Sequence, residues 1–306
     1  MQRGWLWLWV LVACTSVQAA ERKETIVKQA AAREGMKVRV EGGSLDVAVR
    51  VSAIDEVRVE VELACAGFKE KSVEAWMAAH RPQFSETAEA FTITVQPTQA
   101  PFLKGLVVTR ARMQVILPPY VQLDLSAQSG NLQLEGELAR AKPLRLYSAS
   151  GDVEFVGFAP EVEARSTSGD IRLRFSRPVE SLFVRTSSGD VEVTGGAKLV
   201  RADSSSGELR MTGLLGSVGV ATTSGDVQLT FDALPSESEV RITTTSGKVR
   251  LTLPPSSKPG GEVSSVRGEI RSAYPGQTPG GGGKLLLSGE GPKLWVNTTS
   301  GRIELY

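Results

Sequence analysis

Beyond residue 118 the chain alternates apolar and polar positions in short runs, and pairs of runs are joined by a polar stretch that ends in glycine. These glycines are Gly130, Gly151, Gly169, Gly189, Gly207, Gly225, Gly247, Gly268 and Gly301, mostly 18 to 22 residues apart. Two residues after them stand Leu132, Val153, Ile171, Val191, Leu209, Val227, Val249, Ile270 and Ile303, and four residues after them the side chain is apolar in every repeat but the one with Ser272. Five and seven residues before the glycine the same holds, with Gly261 as the exception. Period-two alternation marks a strand with one buried face, so each repeat predicts a strand, a turn, a second strand and a return loop. A regular period of this length predicts a repeat architecture.

The position three before each glycine has the inward parity of the core but is small. It holds Ala127, Ser148, Ser166, Thr186, Ser204, Thr222, Thr244, Ser265 and Thr298, hydroxyl-bearing in all but the first. These residues are predicted to stack as a column at the corner and to hydrogen-bond backbone groups that the bend leaves unpaired, since an unmet buried polar group costs ~1–3 kcal/mol. The glycine supplies a turn conformation that a side chain would obstruct. A hairpin array has no reason to repeat a hydroxyl at one offset, whereas a solenoid sets like on like ~4.8 Å apart. The pattern predicts an all-β protein built on a parallel β-solenoid of about nine coils, roughly 40 Å long. Val191 then stacks between Ile171 and Leu209, and antiparallel pairing of Val191 with Val184 would mark a hairpin instead.

Three segments follow: an export signal over residues 1–19, a β-rich capping segment over 20–118 and the repeats over 119–306. The cap reads as strands in MKVRVEGGSLDVAVRVSAIDEVRVEVEL, FTITVQ and ARMQVILPP, with one short helix in SVEAWMAAHR starting from Ser72 as its N-cap. A dissimilar cap suits a solenoid end, where strand edges are unpaired. The first residues carry one positive charge, an apolar run from Trp5 to Ala13 and a Val17-Gln18-Ala19 ending, which predicts cleavage after Ala19. A competing reading takes Leu11-Val12-Ala13-Cys14 as a lipobox in which Cys14 is lipidated. No later stretch approaches the ~20 apolar residues of a membrane helix. Near the other end, Tyr274 to Lys284 predicts a flexible excursion before a last coil, KLWVNTTSGRIELY.

Charge adds an exclusion: 35 Lys and Arg balance 34 Asp and Glu, and no basic stripe stands out, so nucleic acid is not an expected partner. If Cys14 leaves with the signal, Cys65 is alone, and its neighbours predict a buried small hydrophobe rather than a reactive thiol. His80 is the only histidine, so a triad or a histidine-rich zinc site elsewhere would lack parts. Trp76 and Trp295 are expected to be packing residues. The run Gly280 to Gly283 lacks the Lys-Ser/Thr of a phosphate-binding loop. Asp152, Asp170, Asp190 and Asp226 share one position after the glycine and could in principle serve acid–base chemistry or calcium. The same position holds Asn131, Glu208, Lys248, Glu269 and Arg302 elsewhere, so these carboxylates are expected to splay into water. No catalytic residue, metal or cofactor follows from the sequence.

The repeated TSGDVxL motif, the stretch ARMQVILPPYVQLDLSAQSGNLQLEG before it and the export signal resemble a bacterial β-strand-repeat putative-adhesin family, the head domain of autotransporter-like adhesins, over residues 36–306. The resemblance implies an exported right-handed β-solenoid without established catalytic residues, linked to adhesion or to envelope-stress signalling. Arg267, Ser272 and Gly261 depart from the pattern and weaken the coil around Gly268. The function expected is a non-enzymatic adhesin or envelope scaffold whose partner is an envelope protein or glycan surface. Its expected place is the periplasm, the outer membrane as a lipoprotein, or the cell surface. The rival readings are a β-helix polysaccharide lyase or hydrolase acting through the Asp column, and a periplasmic partner in envelope-stress regulation.

Overall fold

The computed structural model describes residues 20–96, 106–138, 143–279 and 283–306. The export signal, its cleavage site after Ala19 and Cys14 lie outside them, as do Gly280 to Gly282. Among the described residues, strands form two sheets of 13 and 14 strands. Each repeat lays the strand before its glycine into the 14-stranded back sheet, turns, and lays the strand after it into the 13-stranded front sheet. Stacking is parallel and like on like: Ile171 pairs with Val191 and Val191 with Leu209 in the front sheet, while Ala164 pairs with Val184 and Val184 with Ala202 in the back sheet. The chain is therefore a β-solenoid, and the hairpin alternative is excluded.

The four apolar columns form the core between the sheets. Their members are buried throughout except Gly261, Ile270 and Ser272, all in one coil. Each fully buried Val, Leu or Ile contributes roughly 1.5–3 kcal/mol, so the stack is held by many similar increments. The fully buried Phe155 meets Phe175 of the next coil edge-on with centroids 6.0 Å apart.

Among the described residues eleven rungs share this geometry, two more than the glycine repeats, and the extra pair comes from the N-terminal segment. Lys37–Glu41 with Asp46–Val51 makes one, and Ala90–Thr94 with Leu106–Leu117 makes the other. Spatial order departs from chain order at both ends. The rung at 37–51 lies between the 90–117 rung and the first repeat, Gln122–Ala127 with Leu132–Glu137. At the other end Lys293–Thr298 and Ile303–Leu305 slip between the 239–252 rung and the 260–272 rung. Leu117-Pro118-Pro119 and Leu253-Pro254-Pro255 stand where the chain passes over a rung to reach the one beyond. Two prolines in a row lack two N–H donors, so the chain leaves the ladder there. The coil around Gly268 departs from the columns because it is the last rung: its front strand Ile270–Ser272 has a partner on one side only, and its back strand Gly260–Ser265 meets the antiparallel Lys284–Ser288 instead of a further coil.

Antiparallel strands flank both ends. Glu56–Gly67 and then Ala20–Ala31 extend the front sheet, and Gln83–Glu86 extends the back sheet. At the far end Lys284–Ser288 and Gly276–Gln277 extend the back sheet, so part of the stretch expected as an excursion is a paired strand. The outer strand Ala20–Ala31 carries Glu21, Arg22, Lys23 and Lys28 in exposed positions, which disfavours edge-to-edge association. The helix spans Glu70–His80 and buries Val73, Trp76, Met77 and His80 against the Glu56–Gly67 strand. Lys69, in extended conformation, occupies the cap position without a side-chain bond, and Ser72 lies inside the first turn rather than capping it.

Candidate functional site

The corners hold the repeated chemistry, and its local geometry is structural. A Cβ on Gly189 would stand 2.1 Å from the carbonyl oxygen of Gly169, and Gly151, Gly169, Gly225 and Gly247 meet the glycine of the preceding coil in the same way. Close approach of stacked backbones, rather than turn conformation alone, demands glycine here, because only Gly207, Gly225 and Gly247 of the column have positive φ.

The hydroxyl column is buried, at 0–9% exposure from Ser148 through Ser166, Thr186, Ser204, Thr222 and Thr244. Two bonding modes divide it. Ser148, Ser166 and Thr186 accept the N–H of Gly151, Gly169 and Gly189 at 2.9, 2.9 and 3.1 Å. Ser204 and Thr244 instead donate to the carbonyls of Ser206 and Ser246 at 3.0 Å. Thr222 Oγ1 has no hydrogen-bond partner.

The Asp column stands at the solvent boundary, with Asp190 and Asp226 exposed, and its carboxylates are also tied to the backbone of the next coil. Asp152 Oδ1 accepts the N–H of Asp170 at 3.0 Å, Asp170 that of Asp190 at 3.0 Å, and Asp190 that of Glu208 at 2.8 Å. Asp46 and Asn131 begin the same ladder, accepting from Asn131 and Asp152 at 2.9 Å. Asp226 accepts from Lys248 at 2.8 Å. Arg172 spans the column, 2.7 Å from Asp170 and 3.3 Å from Asp152. Among the described residues no group of three or more His, Cys, Asp or Glu is placed to hold a metal ion.

Isolated titratable groups are structural as well. His80 Nδ1 lies 2.8 Å from the carbonyl oxygen of Trp76 and its ring stacks on that indole at 4.1 Å. Burial lowers its pKa, partly offset by the Trp76 carbonyl. Cys65 is buried, and burial raises its thiol pKa, away from the reactive thiolate. Glu304 is a buried carboxylate, held to a pKa of about 2 first by a hydrogen bond from Lys248 and then by Arg250 and Tyr306, at 2.9, 3.1 and 3.1 Å.

Two surface features stand apart. A cleft of about 460 Å³ opens on the outer face of the front sheet, where Leu106–Leu117, Asp46–Val51, Leu132–Glu137 and Val153–Phe158 lie side by side. Its floor is Ala48, and Gln114, Gln133, Arg50, Glu135, Ile116 and Val156 surround it. A hollow of about 590 Å³ lies among the return loops near Pro235, Pro254 and Pro292, but strand-borne positions hold side chains in more fixed register than loops do. Trp295 corrects an expectation: it is 38% exposed on the outer back face, in register between Arg241 and Glu262, because Leu294 and Val296 take the inward columns.

Long open faces, corners occupied by structural ladders and a cleft on the front sheet define an open β-solenoid of the repeat type. The chain belongs to the Toastrack DUF4097 family, whose pattern matches residues 108–199 and 195–305. Among solved structures it resembles a putative adhesin from Parabacteroides merdae at 9% identity, covering 92% of this chain and 96% of that one with a TM-score of 0.52. A putative adhesin from Bacteroides fragilis aligns at 12% identity over 92% and 97% of the two chains, with a TM-score of 0.45. A putative lipid binding protein from Parabacteroides distasonis aligns at 10% identity over 92% and 96%, also at 0.45. Curated proteins gave no match. At 9% identity the likeness to the Parabacteroides merdae structure shows the fold alone.

Proposed function

We propose that the protein is an exported, non-enzymatic adhesin or envelope scaffold that presents its outer sheet faces to an envelope protein or glycan surface. The observation that carries this reading is the use of the corner chemistry by the fold itself. Each Asp of the column from Asp152 to Asp226 binds a neighbouring coil's N–H through one oxygen, a structural use that accounts for the repeated carboxylate without the acid–base pair of a lyase or hydrolase. The adhesin names of the similar structures lend support as analogy. No helix among the described residues is long and apolar enough to cross a membrane; in this reading the export signal delivers the chain, and either Cys14 or binding holds it at the surface. The test is attachment: beads coated with the protein should bind envelope fractions or cells, and soluble protein should compete them off. Turnover of a glycan, lost in Asp170→Asn or Asp190→Asn, would overturn the reading.

A further inference from the structure

We propose that the cleft over Ala48 is a binding site for a neutral saccharide, an inference that names the ligand class within the adhesin reading above. Four adjacent front-sheet strands place their outward side chains in two rows. One row runs Gln114, Ala48, Gln133, Glu154, and the next runs Ile116, Arg50, Glu135, Val156. Ala48 is the smallest side chain in either row, so the floor dips between the two glutamines. Neither glutamine side chain is hydrogen-bonded within the described residues, and both are exposed. Each amide offers a donor and an acceptor together, the combination that pairs with sugar hydroxyls.

Charge selects among ligand classes. Arg50 is 3.3 Å from Glu135, and Glu154 is 2.6 Å from Arg174, so every charge at the cleft has an opposite charge beside it. A phosphate or nucleic acid would need an unpaired cation. A lipid chain would need a mainly apolar wall, whereas Ala48, Ile116 and Val156 stand among glutamines and ion pairs. An extended peptide that adds to a sheet needs a free strand edge, and all four strands are paired on both sides. A saccharide needs what is present: amides for its hydroxyls, and Ile116 with the 40% exposed Val156 for its C–H faces. The volume, about 460 Å³, falls within the ~300–1,000 Å³ of small-molecule sites.

The experiment is calorimetric titration of the full chain with neutral gluco-, galacto- and manno-oligosaccharides, beside uronic-acid oligomers and phospholipid vesicles, with cell attachment measured in parallel. At least one neutral oligosaccharide should bind. Gln114→Ala and Gln133→Ala should each weaken it about tenfold or more, and Ala48→Trp should abolish it by filling the floor. Trp295→Ala, on the opposite sheet, should leave it unchanged. All four positions face outward, and unchanged melting temperatures will show that the variants fold. Absence of neutral-saccharide binding, binding that survives Ala48→Trp, or preference for the acidic oligomers or vesicles overturns the proposal. Attachment that survives Ala48→Trp sinks the cleft alone, and saccharide binding by a protein that attaches to nothing sinks the adhesin reading alone.

Discussion

At the scale of the residue, small side chains decide where backbones can meet. Gly189→Ala must push two coils apart at a 2.1 Å contact, and the expected loss is near the upper end of the ~1–3 kcal/mol typical of overpacking, read from urea unfolding. Removing the hydroxyl in Ser166→Ala leaves the Gly169 N–H unmet and should cost about 1–3 kcal/mol. Thr222→Val is expected to be neutral or stabilising, because Thr222 Oγ1 is buried without a partner. The columns and their parity were legible in the sequence, since apolar alternation alone determines which side chains point inward. The ladder of aspartates was not. Nothing in SGD spacing says that a carboxylate one coil away will reach the next N–H, although Asn131 in the same column was a hint that an acceptor, rather than a charge, is what the position uses. Asp190→Asn should therefore be tolerated better than Asp190→Ala, a difference visible in melting temperature.

Protonation extends the residue scale to solution conditions. His80 has a folded pKa below its ordinary 6.5, so the folded chain binds the proton less readily than the unfolded chain. Stability should hold above pH 6.5 and fall as pH drops below it. Melting curves between pH 7.5 and 5 should show this slope in the wild type and lose it in His80→Phe, which keeps the stack on Trp76. Glu304 acts in a lower window. Its stabilising contribution is present above the unfolded carboxylate value of 4.5 and is lost as pH falls toward about 2.

At the scale of the element, order along the chain and order in space part company. Every rung exposes similar apolar columns to its neighbours, so the hydrophobic pattern cannot say which rung sits on which. The Leu-Pro-Pro pairs were the available sign, because they interrupt pairing at the two places where a rung is passed over. The rung at 37–51 was also readable: Asp46-Val47-Ala48-Val49 repeats the Asp-apolar-x-apolar spacing without the Ser-Gly corner, and it pairs in register with Asn131, Leu132, Gln133 and Leu134. Trp295 was readable by the same parity, between two inward residues. A chain shortened to residue 292 should lose two rungs rather than one, since 260–265 then has no parallel neighbour. Limited proteolysis should cut such a chain within 256–272, while the 239–252 rung stays protected.

At the scale of the whole molecule, eleven rungs at ~4.8 Å make a prism roughly 50 Å long. Rungs contact mainly their immediate neighbours, so stability accumulates along the axis. The antiparallel strands at each end keep the stack finite, and two unlike outer faces remain. The front face carries the cleft, and the back face carries Trp295 and a row in which Lys37, Asp124, Arg145 and Glu163 pair in series at 2.7, 3.8 and 3.2 Å. These partly exposed ion pairs contribute little to stability each. The site was the least legible part, because the cleft is made by strands from both the cap and the repeats, and no single stretch of sequence contains it.

The interleaved rung at 293–305 also bears on mechanics. A strand at a sheet edge yields to tension one hydrogen bond at a time, like a zip. Lys293–Thr298 is bonded on both flanks, to Glu239–Ser246 and to Gly260–Ser265, and Ile303–Leu305 likewise to the strands beside it. A pull transmitted along the chain through Tyr306 therefore loads the two ladders of Ile303–Leu305 together, with the two of Lys293–Thr298 behind them, and the slot that looks like a topological oddity clamps this end of the chain from both flanks.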